Sequence, residues 1–271
     1  MAMHDETDTL PRLSANDRGL AYGHGLFETL ELREGQLPHW PRHWRRLAEG
    51  CRRLGLPVPD RDALGGALLA EGPASGRHVL KLILTAGTGG RGYRPPPVIE
   101  PVRVVSRHPW PIYPESHTEH GVIVRHCRTR LPVDPLLAGL KHLNRLHQVL
   151  ARAEWQDEGI AEGLMSDADG QVIEGTMSNV FWIEDGTLLT PDLGRCGVAG
   201  IMRERILDWA SATGIETLIE PLAPDRLRQA DGLFICNSVI GLWPVRRLDN
   251  HEMRIPSLMR ELLQAVRERA C

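Results

Sequence analysis

Residues 138–152 read AGLKHLNRLHQVLAR. Apolar side chains recur at Leu143, Leu146, Val149, Leu150 and Ala153, a spacing that predicts a helix over 143–158. Lys141 stands at its start, behind an apolar, glycine-containing approach. An amine placed there is partly desolvated and close to a positive helix end. Both effects depress a lysine pKa and free its lone pair for Schiff-base formation. The chain carries 32 Lys and Arg residues, of which only Lys81 and Lys141 are lysines. Arg supplies positive charge everywhere else, so a retained lysine is a candidate for amine chemistry that Arg cannot perform. Lys81, inside HVLKLILTA, reads as the solvent-facing position of an alternating strand.

Working outward, residues 17–25 (DRGLAYGHG) form a glycine-rich turn leading into a strand over 26–32. Residues 39–54 place Trp40, Trp44, Leu47, Cys51 and Leu54 at helical spacing, and a second helix is expected over 60–70. Strands follow over 79–85, 102–106 and 121–127. Two hairpins are expected to turn at Asp169-Gly170 and Asp185-Gly186. A helix starts at Gly200 and runs through Trp209, a strand covers 233–236, and a closing helix covers 256–268. Strands and helices mix without strict βαβ alternation, so the expected fold class is α+β in two domains. The polar, proline-containing stretch 109–120 is the expected linker between a smaller N-terminal domain, 1–108, and a larger C-terminal domain, 121–271.

Composition narrows the function. Hydrophobic residues make up 42% and charged residues 25%, which fits a globular protein with a sizeable core. A net charge of −3 gives no bulk attraction to nucleic acid or to an anionic membrane. Residues 1–10 lack the features of a secretory signal, and no apolar run is long enough to span a bilayer. Five cysteines without a CxxC pair read as reduced, cytoplasmic thiols. GTGGRG at 87–92 formally matches a dinucleotide fingerprint, and a nicotinamide oxidoreductase is the function that would follow. Tyr93-Arg94-Pro95-Pro96-Pro97 cannot open the helix that such a site needs, so a loop presenting Arg91 to an anion fits better. No H-E-x-x-H pair and no G-x-S-x-G elbow occurs, and no metal site is expected.

Five further segments complete the pattern: DRGLAYGHGLFETL at 17–30, HWRRL at 43–47, EGTMSNVFW at 174–182, GIMRERI at 200–206 and ICNSVIGLWPV at 235–245. Together with AGLKHLNRLHQVLAR they resemble the fold-type IV enzymes dependent on pyridoxal 5'-phosphate (PLP). That group includes branched-chain and D-amino acid aminotransferases and the aminodeoxychorismate lyases. GLKHLNRL with GGRGY at 89–93 looks most like the lyases. His24 stands where the group often has Asp.

The resemblance implies a set of roles. PLP needs a Schiff-base amine, a carboxylate at its ring nitrogen and a phosphate cup. Lys141 would be the amine and Glu174 the carboxylate. Arg46 (with Arg45 as its neighbouring alternative), the amides of Ile201 and Met202 after Gly200, and the Ser238 hydroxyl would form the cup. In D-amino acid aminotransferases the positions of Phe27, Arg91 and Tyr93 hold a substrate-binding Tyr, Arg and His. Phe27 lacks the hydroxyl, and Arg91 can offer its planar fork to a substrate carboxylate. The implied reaction is cleavage of 4-amino-4-deoxychorismate to 4-aminobenzoate and pyruvate, in folate biosynthesis. A D-amino acid or branched-chain aminotransferase, or a non-catalytic PLP-binding protein, is the alternative on the same fold. The implied assembly is a homodimer with the site between the two domains, the Arg91 loop reaching toward the neighbouring subunit's site.

Overall fold

The computed structural model describes residues 13–268; the segment 1–10 and Cys271, read above, lie outside them. The chain opens with α1 (Arg18–Tyr22), β1 (Gly25–Arg33), α2 (Trp40–Arg53), α3 (Arg61–Ala70), β2 (Arg77–Thr85) and β3 (Val102–Pro109). The three strands form an antiparallel sheet in the order β1-β2-β3. Strand alternation puts Leu26, Leu30 and Leu32 of β1 beside Leu80, Leu82 and Leu84 of β2. Those leucines are buried under Leu47 and Cys51 of α2 and Leu64 and Leu68 of α3. The opposite face of β1 carries Phe27 and Thr29, which line a cavity.

The remaining elements are α4 (Ser116–Glu119), β4 (Val122–His126), α5 (Leu146–Arg152), β5 (Ile160–Ser166), β6 (Val172–Gly175), β7 (Asn179–Glu184) and β8 (Thr187–Thr190). Then come α6 (Ile201–Thr213), β9 (Thr217–Ile219), α7 (Pro224–Leu227), β10 (Gly232–Asn237), β11 (Gly241–Leu248), β12 (His251–Glu252) and α8 (Ser257–Glu268). Strands β4 to β12 build one nine-stranded mixed sheet in the order β6-β5-β4-β11-β10-β7-β8-β9, with β12 on β11. Its central strands are buried on both faces, which is why they read as unbroken hydrophobic runs. Val180, Trp182, Leu233 and Ile235 pack to one side. Phe181, Ile183, Phe234 and Cys236 pack to the other, against Met202 and Ile206 of α6 and Met259 and Leu262 of α8. Phe181 and Phe234 sit opposite one another in register and stack with centroids 5.0 Å apart. No helix of the described residues is long and apolar enough to cross a membrane.

The fold is α+β, as expected, but several local readings change. The glycine-rich turn at 17–25 contains a helix, α1, capped by the Asp17 carboxylate, which accepts from Gly19 N and Leu20 N. Gly23 ends it at φ 66°, and a Cβ there would lie 2.0 Å from the Asn144 side chain. The helix expected over 143–158 covers only Leu146–Arg152. Lys141 is therefore not at a helix start. Its segment is extended because it pairs with β1: Phe27 N donates to Lys141 O at 2.9 Å and Leu143 N to Gly25 O at 3.1 Å. Asp185-Gly186 is a two-residue hairpin turn, with φ 48° and 79°. Asp169-Gly170 is not. It lies inside a three-residue connection closed by Asp167 N donating to Gln171 O, with Gly170 at φ 87°.

Candidate active site

Phe27 and Thr29 of β1, Arg46 of α2, Lys141, Glu174 of β6 and the turn after β10 surround a cavity of roughly 360 Å³. The Lys141 amine lies 4.3 Å from the centre of the Phe27 ring. Burial and the nearby Arg46 guanidinium lower its pKa to about 8, against the opposite pull of Glu28. Glu174 is 4% exposed, and burial pushes its carboxyl above the usual range. Two donors hold it in place: Val198 N at 2.8 Å and the Gln148 side-chain amide at 3.2 Å.

Arg46 is fixed by a buried carboxylate on β1. Its Nε donates to Glu28 Oε1 at 2.8 Å and its second terminal nitrogen to Oε2 at 2.5 Å. The third arm donates to Ala199 O at 3.0 Å, just before α6. His43 completes the cluster by donating from Nδ1 to Glu28 at 2.7 Å. Arg45, the neighbouring alternative, points away and pairs with Glu204 on α6. Of these two neighbours, Arg46 lines the cavity and Arg45 does not.

The start of α6 carries no side-chain cap, so its first amides lack a partner within the helix. Gly200 lines this cavity, while Ile201 and Met202 line an adjoining cavity of about 430 Å³. Ser238 and Tyr113 line both. A Cβ on Gly200 would meet the Asn179 amide at 2.0 Å, and Asn179 in turn donates to Val198 O at 2.8 Å. The Ser238 hydroxyl donates to Thr29 O at 3.2 Å, tying the turn after β10 to β1. An amine, a buried carboxylate, a helix start and an Arg around one cavity suit a planar, phosphate-bearing aromatic aldehyde.

Arg91 and Tyr93 are not part of this assembly. Both are exposed, Tyr93 at 85%, on the loop 87–97. Arg18 holds that loop by donating to Gly92 O, Tyr93 O and Arg94 O. His24 is not in the cavity wall either: its Nε2 lies 3.0 Å from Leu54 O, at the end of α2.

Several residues of the site escaped the sequence reading, Glu28, His43 and Gln148 among them. Arg145 and Asn179 sit inside quoted motifs without being singled out, and Tyr113 lies in the presumed linker. Glu162 carried no signal at all. It is fully buried on β5 and accepts from Thr176 N, Thr176 Oγ1, Met177 N and Ser178 Oγ. It thereby fixes the turn 176–178 in the cavity wall.

Burial alone would raise the Glu28 carboxyl, but Arg46 and the His43 hydrogen bond outweigh it and hold the pKa at about 2. A depressed carboxylate stabilises the fold above its ordinary value of 4.5, and that contribution is lost as pH falls toward 2. Glu28→Gln leaves Arg46 without its counter-charge and should cost about 3–5 kcal/mol at neutral pH. The gap from the parent protein should narrow on acidification, as measured by denaturant unfolding from pH 7 to pH 3. A pH-independent gap would remove the charge from the explanation.

The chain matches the amino-transferase class IV family over residues 25–248. It is 37% identical to an aminodeoxychorismate lyase from Vibrio harveyi, over 88% of each chain. The crystal structure of a 4-amino-4-deoxychorismate lyase from Pseudomonas aeruginosa superimposes with a TM-score of 0.91 at 52% identity, over 95% of each chain. The Escherichia coli branched-chain amino acid aminotransferase shares the fold, with a TM-score of 0.84 at 23% identity over 95% of this chain and 89% of its own. With the match spanning most of its length and every strand of the cavity wall, the chain belongs to the amino-transferase class IV family.

Proposed function

We propose that this protein is a PLP-dependent lyase that cleaves 4-amino-4-deoxychorismate to 4-aminobenzoate and pyruvate. The observation that carries the cofactor reading is the Lys141 amine, lowered to about 8, in one cavity with the buried Glu174. The substrate rests on the likeness to the Vibrio and Pseudomonas lyases.

Bound PLP supplies an electron sink conjugated to the amine-bearing carbon of the substrate. Lys141 anchors the cofactor, and Glu174 keeps its ring nitrogen protonated. Arg46, the first amides of α6 and the Ser238 hydroxyl hold the phosphate, and Arg46 is pre-aimed by Glu28. Lys141 would also be the general base that takes the proton from the substrate carbon bearing the amine. The carbon–oxygen bond to the enolpyruvyl group then breaks, the ring becomes aromatic, and the departing enol gains a proton to become pyruvate.

Phe27 favours the lyase over an aminotransferase acting on D-amino acids. It faces Lys141 with a bare ring where a carboxylate trap would need a hydroxyl. We also propose a cytoplasmic homodimer of two-domain subunits, with 1–108 and 121–271 meeting at the cavity and 109–120 between them. Leu146, Val149 and Leu150 support the dimer, because α5 presents all three to the outside, 52–65% exposed. So does the Arg91 loop, which lies outside its own chain's cavity and is free to serve the neighbouring subunit's. Light scattering should return a dimer; an active monomer would contradict this assembly.

The reaction is tested by incubating PLP-loaded protein with 4-amino-4-deoxychorismate and assaying both products. Equimolar 4-aminobenzoate and pyruvate are expected, and Glu174→Gln should cut turnover by ~10² or more without unfolding the protein. No 4-aminobenzoate, together with rapid transamination of D-alanine and 2-oxoglutarate, would replace the lyase by the aminotransferase.

A further inference from the structure

We infer that Arg145 is the positioning residue for Lys141, its guanidinium gripping the two peptide carbonyls that flank the lysine. The inference rests on the amine role proposed for Lys141. Arg145 Nε donates to His142 O at 2.8 Å, and a terminal nitrogen donates to Leu140 O at 2.8 Å. Among the described residues, Arg145 is the donor to both carbonyls. The other edge of the same segment is tied to β1 through Lys141 O and Leu143 N.

This arrangement answers a mechanical problem. Residues 140–143 belong to no helix or strand, so beyond the two hydrogen bonds to β1 no continuing ladder fixes the backbone from which Lys141 projects. A reactive amine has to be held to within a fraction of an ångström, and misplacement is costly in rate. Arg145 sits at the entry to α5 but makes no side-chain cap there. Its planar fork holds two carbonyls at once in a fixed geometry, which the rotatable ammonium of a lysine does not impose. Arg145 also lines the same cavity as Lys141 and Glu174, so the clamp closes from inside the site.

The clamp has an electrostatic side. The charges acting on the Lys141 amine are Arg46 from α2, Glu28 from β1, Glu174 from β6 and Arg145 itself, with His43 of α2 behind Glu28. Removing Arg145 takes away one of the two cations that disfavour a proton on the Lys141 nitrogen, so that nitrogen, free or bonded to the cofactor, should hold its proton to higher pH.

The test compares Arg145→Gln and Arg145→Lys with the parent protein, all loaded with PLP. Amide exchange over 140–143 is followed by mass spectrometry, the absorbance of bound PLP is titrated with pH, and kcat and KM are measured. Arg145→Gln should speed exchange over 140–143 by roughly tenfold or more relative to the rest of the chain. Its absorbance midpoint should move upward by about one pH unit. Its kcat should fall by about tenfold or more, with KM changed much less. Arg145→Lys keeps the charge but not the fork, so exchange and kcat should change while the pH midpoint stays. If Arg145→Gln does not fold, these outcomes for Arg145→Lys carry the test alone. Unaltered exchange over 140–143 in both variants would overturn the clamp. So would a kcat loss in step with faster exchange across the whole chain and no movement of the pH midpoint in Arg145→Gln. If the cofactor proves to be bound elsewhere than Lys141, the reading of the site fails instead.

Discussion

An amine that is to be neutral near physiological pH has to leave water without being given a carboxylate of its own. Much of the site follows from that constraint. Lys141 is lowered to about 8 because burial and the guanidinium groups of Arg46 and Arg145 outweigh the pull of Glu28 and Glu174. Both carboxylates are engaged elsewhere. Glu28 is taken up by Arg46 and His43, and Glu174 by the Val198 amide and Gln148. Had either turned to the lysine, the amine would be held as a cation and lost as a nucleophile.

The two sheets supply the rigidity this balance needs. β1 works on both faces: Leu26, Leu30 and Leu32 anchor it in the small core, while Phe27 and Thr29 face the cavity. Glu28, on the buried face, reaches α2 and aims Arg46 back toward the start of α6. The large sheet contributes Glu174 from β6 and, through Glu162 on β5, the fixed turn that separates them from β7. Ser238 then closes the circuit by donating to Thr29 O. The elements around the cavity are thus joined by hydrogen bonds from buried or partly buried groups, which are worth more there than in water.

Much of this was legible in the residues. The spacing of Leu47 and Cys51 marked α2, Gly200 marked the start of α6, and lysine scarcity singled out Lys141. Other features depend on contacts distant in sequence, which a local pattern does not encode. Leu146, Val149 and Leu150 have the spacing of a core-facing helix, yet they are exposed in the single chain. Residues 141–143 are extended because β1, more than a hundred positions earlier, pairs with them. Glu162 looks like any surface acid until four donors from the turn 176–178 surround it. Arg91 and Tyr93, read from resemblance, lie on an outer loop of this chain, outside its cavity.

Everything proposed for the cavity turns on Lys141 being the amine that holds the cofactor. Borohydride reduction of PLP-loaded protein, followed by proteolysis and mass spectrometry, tests it directly. With Lys81 exposed on β2 and Lys141 in the cavity, these two lysines are the whole set of side-chain amines the chain offers. A pyridoxyl group is expected on the peptide containing Lys141, with Lys81 unmodified. A pyridoxyl group on Lys81, or on neither lysine, would contradict it.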